Sequence, residues 1–482
     1  MMRSVKVNIH ILCLLLAVVL LLTSCSDGSQ FDESPVLPPL PASQQSNADS
    51  LYLHLQIVNS TQPVMRAAVA ATKEENAVYD GILAIFEGTS ESTATLRSAV
   101  VIDQLINNQG STDHPETVSV IQRLPIQNYP YTNTLYALVL LNTTASGFTI
   151  SNGMLFFDGV SQSGKTRSQI QALNIKGIGS TDMHKGLFMS NAPTSTDGTT
   201  LVAISALYDT DAAARSGTAH TITVERAAAK VSVASGYSAG SNITAITLNG
   251  SASYAHYHTM TWAVNKYNTT SYALRNPNGT SNWAQDINYS GAPEHTFTAN
   301  DFTVYPQQSH SNDVVYIAEN TTNDGSSSDV NVTEVIVEVQ VKDASNMLIH
   351  EGFKFTAYDN NVFYTSAEQY IAFLKSGLTD GQKALYGLST RTADEVYKYP
   401  TIVVNADGSV TVTLSNESFT AEEKTGLANL AAFLSNNTKG YRDGKMYYTY
   451  KIQHDTGKYA VVRNNVYSLT LSNITAIGSP TP

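Results

Sequence analysis

The most constraining feature of this chain is a short run near its start in which apolar and polar side chains alternate. Leu51, Leu53, Leu55 and Ile57 interleave with Tyr52, His54, Gln56 and Val58. Successive side chains of a strand point to opposite faces, so this period predicts a β-strand that buries one face. Asn59-Ser60-Thr61-Gln62-Pro63 follows with turn chemistry, then Val64-Met65-Arg66-Ala67-Ala68 and the polar Thr72-Lys73-Glu74-Glu75-Asn76. Ile82 to Phe86, closed by Glu87-Gly88, predicts a second strand. An arginine on the connection makes the first strand separable. A protease cutting after Arg66 would detach residues 51–66 from everything downstream.

The rest of the chain repeats the same grammar of short apolar runs between turn residues, which predicts a mostly β protein. Ala99 to Ile102, Val118 to Ile121 and Leu201 to Leu207 are expected strands, and Gly186 to Pro193 a strand stopped by its proline. Thr134 to Asn142 is apolar without interruption and is expected to be a central strand covered on both faces. Further strands are expected at Ile243 to Leu248, Tyr257 to Val264, Asp313 to Ile317, Val332 to Val341 and Leu348 to Thr356. Met446 to Ile452, Tyr459 to Val462 and Val466 to Ser472 complete the set. Val224 to Val233 is expected to open a second domain, giving units of 51–223 and 224–482. Its Arg226 and Lys230 suit either a functional basic contact or an inter-domain or edge-strand salt bridge. Two patches carry helical spacing instead, Ala367 to Leu374 and Thr420 to Leu434, the second with an N-terminal signal in Thr420 and Glu422-Glu423.

Residues 1–25 are not part of the fold. Arg3 and Lys6 precede an apolar run from Ile9 to Leu22, as in a secretory signal. Leu22-Thr23-Ser24-Cys25 resembles the lipobox of bacterial lipoproteins, in which the cysteine is acylated, with palmitate among its lipids, and becomes the new N-terminus. Residues 26–50, with Pro35, Pro38, Pro39 and Pro41, read as a flexible tether. Of two cysteines, Cys13 leaves with the signal and Cys25 carries lipid, so no disulfide framework or thiolate metal site is available. The formal charge of −12 deepens to −14 when Arg3 and Lys6 are removed, which argues against nucleic-acid binding.

Taken in order, these segments resemble the fimbrillins of Bacteroidales, subunits of lipoprotein-derived, protease-assembled type V pili, in particular the minor or short-fimbria type. The likeness is carried by the lipobox at Cys25, the strand Leu51 to Val58 and the Arg66-Ala67 pair followed by Glu74-Glu75 and Val78-Tyr79-Asp80. Gly186-Leu187-Phe188-Met189-Ser190, Val224-Glu225-Arg226 to Val231, Tyr316 to Asn320 and Val462-Arg463-Asn464-Asn465-Val466-Tyr467 extend it over nearly the whole chain. The resemblance implies two tandem transthyretin-like β-sandwich domains, with small helical insertions in the second. It implies a structural role in a cell-surface fimbrium and in cell adhesion, reached from an outer-membrane lipoprotein. The partners implied are other fimbrial subunits by donor-strand insertion, an arginine-specific protease acting at Arg66-Ala67, and the outer membrane through the lipid on Cys25. Leu51, Leu53, Leu55 and Ile57 would then be the removable strand. Shaft subunits of the family carry a further C-terminal extension, whereas Gly478-Ser479-Pro480-Thr481-Pro482 follows directly on the last expected strand here. A tip or accessory subunit is therefore expected.

Several motifs compete with that reading. Gly159 to Thr166 fits G-x-x-x-x-G-K-[ST], and Asp209 ends a downstream apolar run, but a phosphate-binding loop needs a buried parallel strand and a long helix. Arg167 to Leu173 is short and polar, so a Gly/Ser hairpin loop is expected. His256 and His258 share strand spacing but lack a visible third ligand, and Asn323-Asp324-Gly325 with Asp329 lacks the EF-hand spacing. No metal or other cofactor is expected. There is no G-x-S-x-G, no H-E-x-x-H and no prominent carboxylate pair, so no enzyme is expected. The serious rival is a cell-surface glycan-binding lipoprotein, with Trp262, Trp283 and several tyrosines as a stacking platform.

Overall fold

The computed structural model describes residues 50–59, 75, 77–102, 117–125, 131–176, 178, 186–194, 199–276, 285–296, 314–322, 325–358 and 360–482. Residues 45–482 form one compact unit by contact, and within it the described fold is mostly β. The first part runs through β1 (Ser50–Asn59), β2 (Gly81–Gly88), β3 (Thr95–Val101), β4 (Thr117–Pro125) and β5 (Thr134–Leu141). A small meander follows, β6 (Phe148–Ser151), β7 (Met154–Phe157) and β8 (Val160–Ser161), then helix α1 (Arg167–Gln171) and β9 (Asn174–Ile175). Next come β10 (Met189–Asn191), β11 (Val202–Ile204), helix α2 (Asp211–Ser216) and β12 (His220–Arg226).

Most of these strands join one eight-stranded sheet of order β3-β2-β5-β10-β12-β1-β4, with β11 also on β5. Leu83 and Ile85 of β2 share an apolar cluster with Val120 and Leu124 of β4, from the opposite end of the sheet. That sharing requires the sheet to curl around its own core. β5 is buried on both faces, as its unbroken apolar run predicts: Leu135, Ala137, Val139 and Leu141 face the curl, while Leu138 and Leu140 face a second cluster. Asn142 follows at φ 55° and spends its side chain on neighbouring backbone, accepting from Tyr79 N and donating to Ala77 O and Leu187 O.

The run Val224 to Val233 is divided between two strands. Its first residues finish β12, and after Ala227 the chain enters β13 (Ala228–Ser235) in a different sheet. From there come β14 (Asn242–Leu248), β15 (Ser253–Asn265), β16 (Ser271–Tyr272), β17 (Val314–Ala318), β18 (Asn320–Thr321) and β19 (Glu334–Lys342). β13 sits between antiparallel β17 and the parallel last strand, so the core of this half is framed from both ends of its sequence. β14, β15 and β19 belong to a five-stranded sheet opposite, and between the two lies a cluster that includes Trp262, Val231, Val315, Val339 and Tyr467.

An inserted layer follows β20 (Glu351–Phe355) and β21 (Val362–Phe363): helices α3 (Ala367–Gly377), α4 (Asp380–Leu385) and α5 (Ala393–Val396), hairpin β22 (Tyr399–Val404) and β23 (Val410–Ser415), and helix α6 (Ala421–Asn436). The two expected helices are α3 and α6; α4 and α5 are additional. The chain closes with β24 (Thr438–Arg442), β25 (Lys445–Lys451), β26 (Gln453–Asp455), β27 (Lys458–Val461) and β28 (Val466–Leu471). Beyond β28 the residues remain packed on the body. Ile474 and Ile477 are buried, and Ser479 exchanges two 2.9 Å backbone hydrogen bonds with Tyr447 of β25.

Candidate functional site

The alternating run that predicted the first strand is β1, and its position is interior. On one side it pairs antiparallel with β4, from Ser50 opposite Pro125 to Val58 opposite Thr117. On the other it runs parallel to β12, from Leu55 opposite His220 to Asn59 opposite Val224. The leading half of that second edge is closed by Tyr208, which accepts from Tyr52 N at 2.7 Å and donates to Tyr52 O at 2.9 Å. Leu53 and Leu55 are 0% exposed, Leu51 and Ile57 4%. The outward face is polar: His54 Nε2 lies 3.0 Å from Ser119 Oγ, and Thr221 Oγ1 donates to Gln56 Oε1. His220, opposite Leu55 on β12, is buried and accepts from Ser205 N at 2.9 Å, and burial holds its pKa below the usual histidine value.

Among the described residues β4 has no strand partner except β1. β1 is thus both the source of four core side chains and the tie that holds β4 to the sheet. The slot it fills is lined by Val120 and Leu124 of β4, Ile222 and Val224 of β12, and Leu207. Such a slot presents unpaired backbone on two sides and alternate apolar pockets beneath, which is what an extended segment of alternating sequence needs.

A second constellation lies where β12 passes into β13. Glu75 is 3% exposed, and its carboxylate is paired with Lys230 Nζ at 2.6 Å and accepts from Tyr316 Oη. Its carbonyl accepts from Arg226 Nε at 3.0 Å, and the Arg226 guanidinium reaches on to Asn464 Oδ1. Beside it Glu225 makes a two-pronged pair with Arg275 at 3.0 and 2.6 Å. Arg463, 0% exposed, donates to Glu319 Oε1 at 2.6 Å, to Ser271 Oγ and to Tyr272 O. Charges this deep persist only when paired, and each here has a partner of opposite sign. The segments that carried the family likeness, around Glu75, Glu225-Arg226, Glu319 and Arg463-Asn464, therefore meet in space. Pattern reading missed the pairings because they join residues far apart in sequence. The usable signal was a charge interrupting an apolar strand run.

The rival motifs can be placed as well. Gly159 lies in the turn between β7 and β8, Val160–Ser161 are β8 of an antiparallel meander, and Gln162 to Thr166 lead into the five-residue α1. The amides of that last stretch point inward: Gly164 N donates to Leu96 O, Lys165 N to Gln162 O and Thr166 N to Gln169 Oε1, so none of these three faces a phosphate. His256 pairs with Lys342 and His258 is the unpaired residue of a bulge in β15, and among the described residues no group of three or more His, Cys, Asp or Glu could hold a metal. Trp262 is 0% exposed in the second core and cannot stack on a sugar. Cys25, Arg66, Ala67, Trp283, Asn323 and Asp324 lie outside the described residues. No described helix is long and apolar enough to cross a membrane.

Residues 439–482 match the family described as major fimbrial subunit protein type IV, fimbrillin, C-terminal. This C-terminal region is fimbrillin-like. The fimbrillin match takes in β25 to β28 and so contains Arg463, Asn464 and Tyr467. No curated protein matches the chain. Among solved structures, the fold is similar to a fimbrilin (FimA) from Porphyromonas gingivalis W83 at 12% identity and a TM-score of 0.42, over 90% of this chain and 92% of that one. A fimbrial assembly protein from Parabacteroides distasonis is similar at 13% identity and a TM-score of 0.31, over 61% of this chain and 84% of that one. The tip fimbrial protein Mfa3 from Porphyromonas gingivalis is similar at 9% identity and a TM-score of 0.30, over 61% and 80%.

Proposed function

We propose that this protein is a fimbrial subunit, exported as an outer-membrane lipoprotein acylated at Cys25 and assembled after cleavage between Arg66 and Ala67. The observation that carries the reading is the place of β1. It is an interior strand whose Leu51, Leu53, Leu55 and Ile57 are all core residues, yet it lies upstream of an arginine-bearing connection. Cutting there would release tether, lipid and β1 together. The vacated slot would expose two unpaired strand edges and the pockets of four aliphatic side chains, whose burial is worth on the order of 6–10 kcal/mol before entropic costs. Refilling by an extended segment of a neighbouring subunit is therefore strongly driven, and the chemistry is physical: only the protease makes or breaks a bond. A tip or accessory position is part of this reading, and Ile474, Ile477 and Ser479 are engaged on their own body.

The decisive measurement is the N-terminal residue of the surface-exposed form. Ala67 is expected in fimbriae and lipidated Cys25 in the membrane precursor. Arg66→Ala should remain a lipidated monomer, and its normal incorporation into fimbriae would overturn the reading. Cys25→Ala should abolish labelling by palmitate.

A further inference from the structure

Removal of β1 poses a problem of containment. The strand is bonded along both edges, and the chain that follows the cut has to stay in place when its covalent leader departs. In the uncut chain both ends of the connection are fixed at the same end of β12. Asn59 pairs with Val224, and Glu75 is bound through its carbonyl by Arg226. The carboxylate of Glu75, however, is held from elsewhere. Lys230 lies on β13 and Tyr316 on β17, both outside the sheet that contains β1. The first described attachment downstream of Arg66 is thus made to a part of the fold that loses no strand when β1 leaves.

Glu75 also begins a continuous series of pins. Ala77 O accepts from Asn142 Nδ2 at 3.0 Å and Tyr79 N donates to Asn142 Oδ1 at 2.8 Å. Asp80 then accepts from the hydroxyls of Thr143 and Thr144 at 2.5 and 2.6 Å, and β2 follows at Gly81. The series ends where β2 enters the sheet beside β5, on the far side of β10 and β12 from the slot. A buried acid whose partners come from a separate sheet is an unusual expense for a connection, unless the connection has to bear load.

We infer that the Glu75 ion pair with Lys230, braced by Tyr316, is the anchor that stops strand loss from passing down the chain from the cut into β2, keeping the cut subunit folded with its slot open to a donor. This rests on the strand-exchange reading above and assigns a positioning role that the cut itself reveals. Before cleavage β1 and the connection also restrain residue 75. After cleavage the ion pair is the first described attachment of the chain that follows the cut.

The test uses the purified full chain and its Glu75→Gln and Lys230→Met variants, with Tyr316→Phe as a milder change that keeps the ion pair and the ring. Each is treated with an arginine-specific protease, and intact mass identifies the product starting at Ala67. Hydrogen exchange then reports on Ala77 to Gly88, and a labelled peptide of residues 50–59 reports on the slot. Cut wild type is expected to keep amide protection over Ala77 to Gly88 and to bind the peptide. Cut Glu75→Gln and Lys230→Met are expected to lose protection there by tenfold or more and to bind the peptide at least tenfold more weakly, with Tyr316→Phe between. The uncut variants should keep wild-type protection over the same residues, which a general packing defect would not allow. Cut Glu75→Gln and Tyr316→Phe that match cut wild type in both readouts would overturn the anchor alone. A wild-type chain that is not cut after Arg66, or that binds no peptide once cut, would overturn the strand-exchange reading and the anchor with it.

Discussion

At the scale of single residues, Arg463 makes the sharpest demand on the fold. A guanidinium with no solvent exposure must have its charge answered by protein: Glu319 pairs with it and Ser271 and Tyr272 accept from Nη2, while Nη1 is buried without a hydrogen-bond partner. Removing one member of a buried pair strands the other, so Arg463→Met is expected to lower stability by about 3–5 kcal/mol, read from the urea midpoint. The double variant Arg463→Met, Glu319→Met should recover part of that loss, because no charge is then left buried alone. Asp286 gives a prediction in pH. Burial pushes its pKa up to about 7, with Glu319 adding repulsion, although it accepts from Thr321 N at 2.7 Å and Asn288 N at 2.8 Å. A carboxyl whose folded pKa lies above its unfolded value binds more protons when folded, so its contribution to stability falls as pH rises from about 4 to 7. Asp286→Asn should therefore show a smaller loss between those pH values than wild type in paired denaturation curves. An equal loss would remove Asp286 as the source. None of these pairings was legible in advance. The sequence marked Arg226 and Lys230 as charges in the run Val224 to Val233, and Arg463 only as part of a family-like segment, but their partners are set by how distant strands cross.

At the scale of elements the sequence was far more informative. Alternation named Leu51 to Val58 as a strand and also which four side chains it buries, because period 2 fixes both at once. The unbroken run at β5 announced burial on both faces in the same way. Thr420 and Glu423 form the reciprocal cap that the spacing suggested, with Thr420 Oγ1 accepting from Glu423 N and Glu423 Oε2 accepting from Thr420 N. Arg391 and that cap push the Glu423 pKa down to about 2, so the interaction should persist through mild acid and fade only as pH falls through that value, observable in a carboxyl NMR titration. Thr420→Ala should cost about 1 kcal/mol. The short helices α4 and α5 escaped notice although Thr379 with Gln382 and Thr392 with Glu395 carry the same cap. At one to two turns they are too short to show apolar periodicity, and the cap alone was the signal. β4 yields a prediction that no local pattern contains. Since its ladder runs through β1, the amides of Val118 to Leu124 should lose exchange protection when β1 is cut away and regain it when a peptide of residues 50–59 is added. Retained protection without the peptide would show β4 to be held by other contacts.

At the scale of the molecule, the division into 51–223 and 224–482 meets a seam that both halves share. β12 carries Val224 to Arg226 into the first sheet, so a break before Val224 would shorten a strand that pairs with both β1 and β10. One apolar cluster takes Ile82, Phe86 and Leu140 from one side and Ala228, Leu274 and Tyr316 from the other. β9 pairs with β16 across the same seam, and Glu75 reaches over it to Lys230. Separated halves would each expose part of that cluster, and Glu75 and Lys230 would both lose a buried partner, penalties that act on the two parts together rather than on either alone. We therefore expect residues 51–482 to unfold in one transition, with calorimetric and van't Hoff enthalpies in agreement, despite a length at which independent domains are common. Neither 51–223 nor 224–482 should give a cooperative transition when expressed alone. A fragment 224–482 that unfolds cooperatively on its own would assign the seam to specificity of docking instead. The same coupling bears on strand exchange, because a body that unfolds only as a whole can lose one strand from its first sheet and remain folded while the seam, with Glu75 in it, is intact.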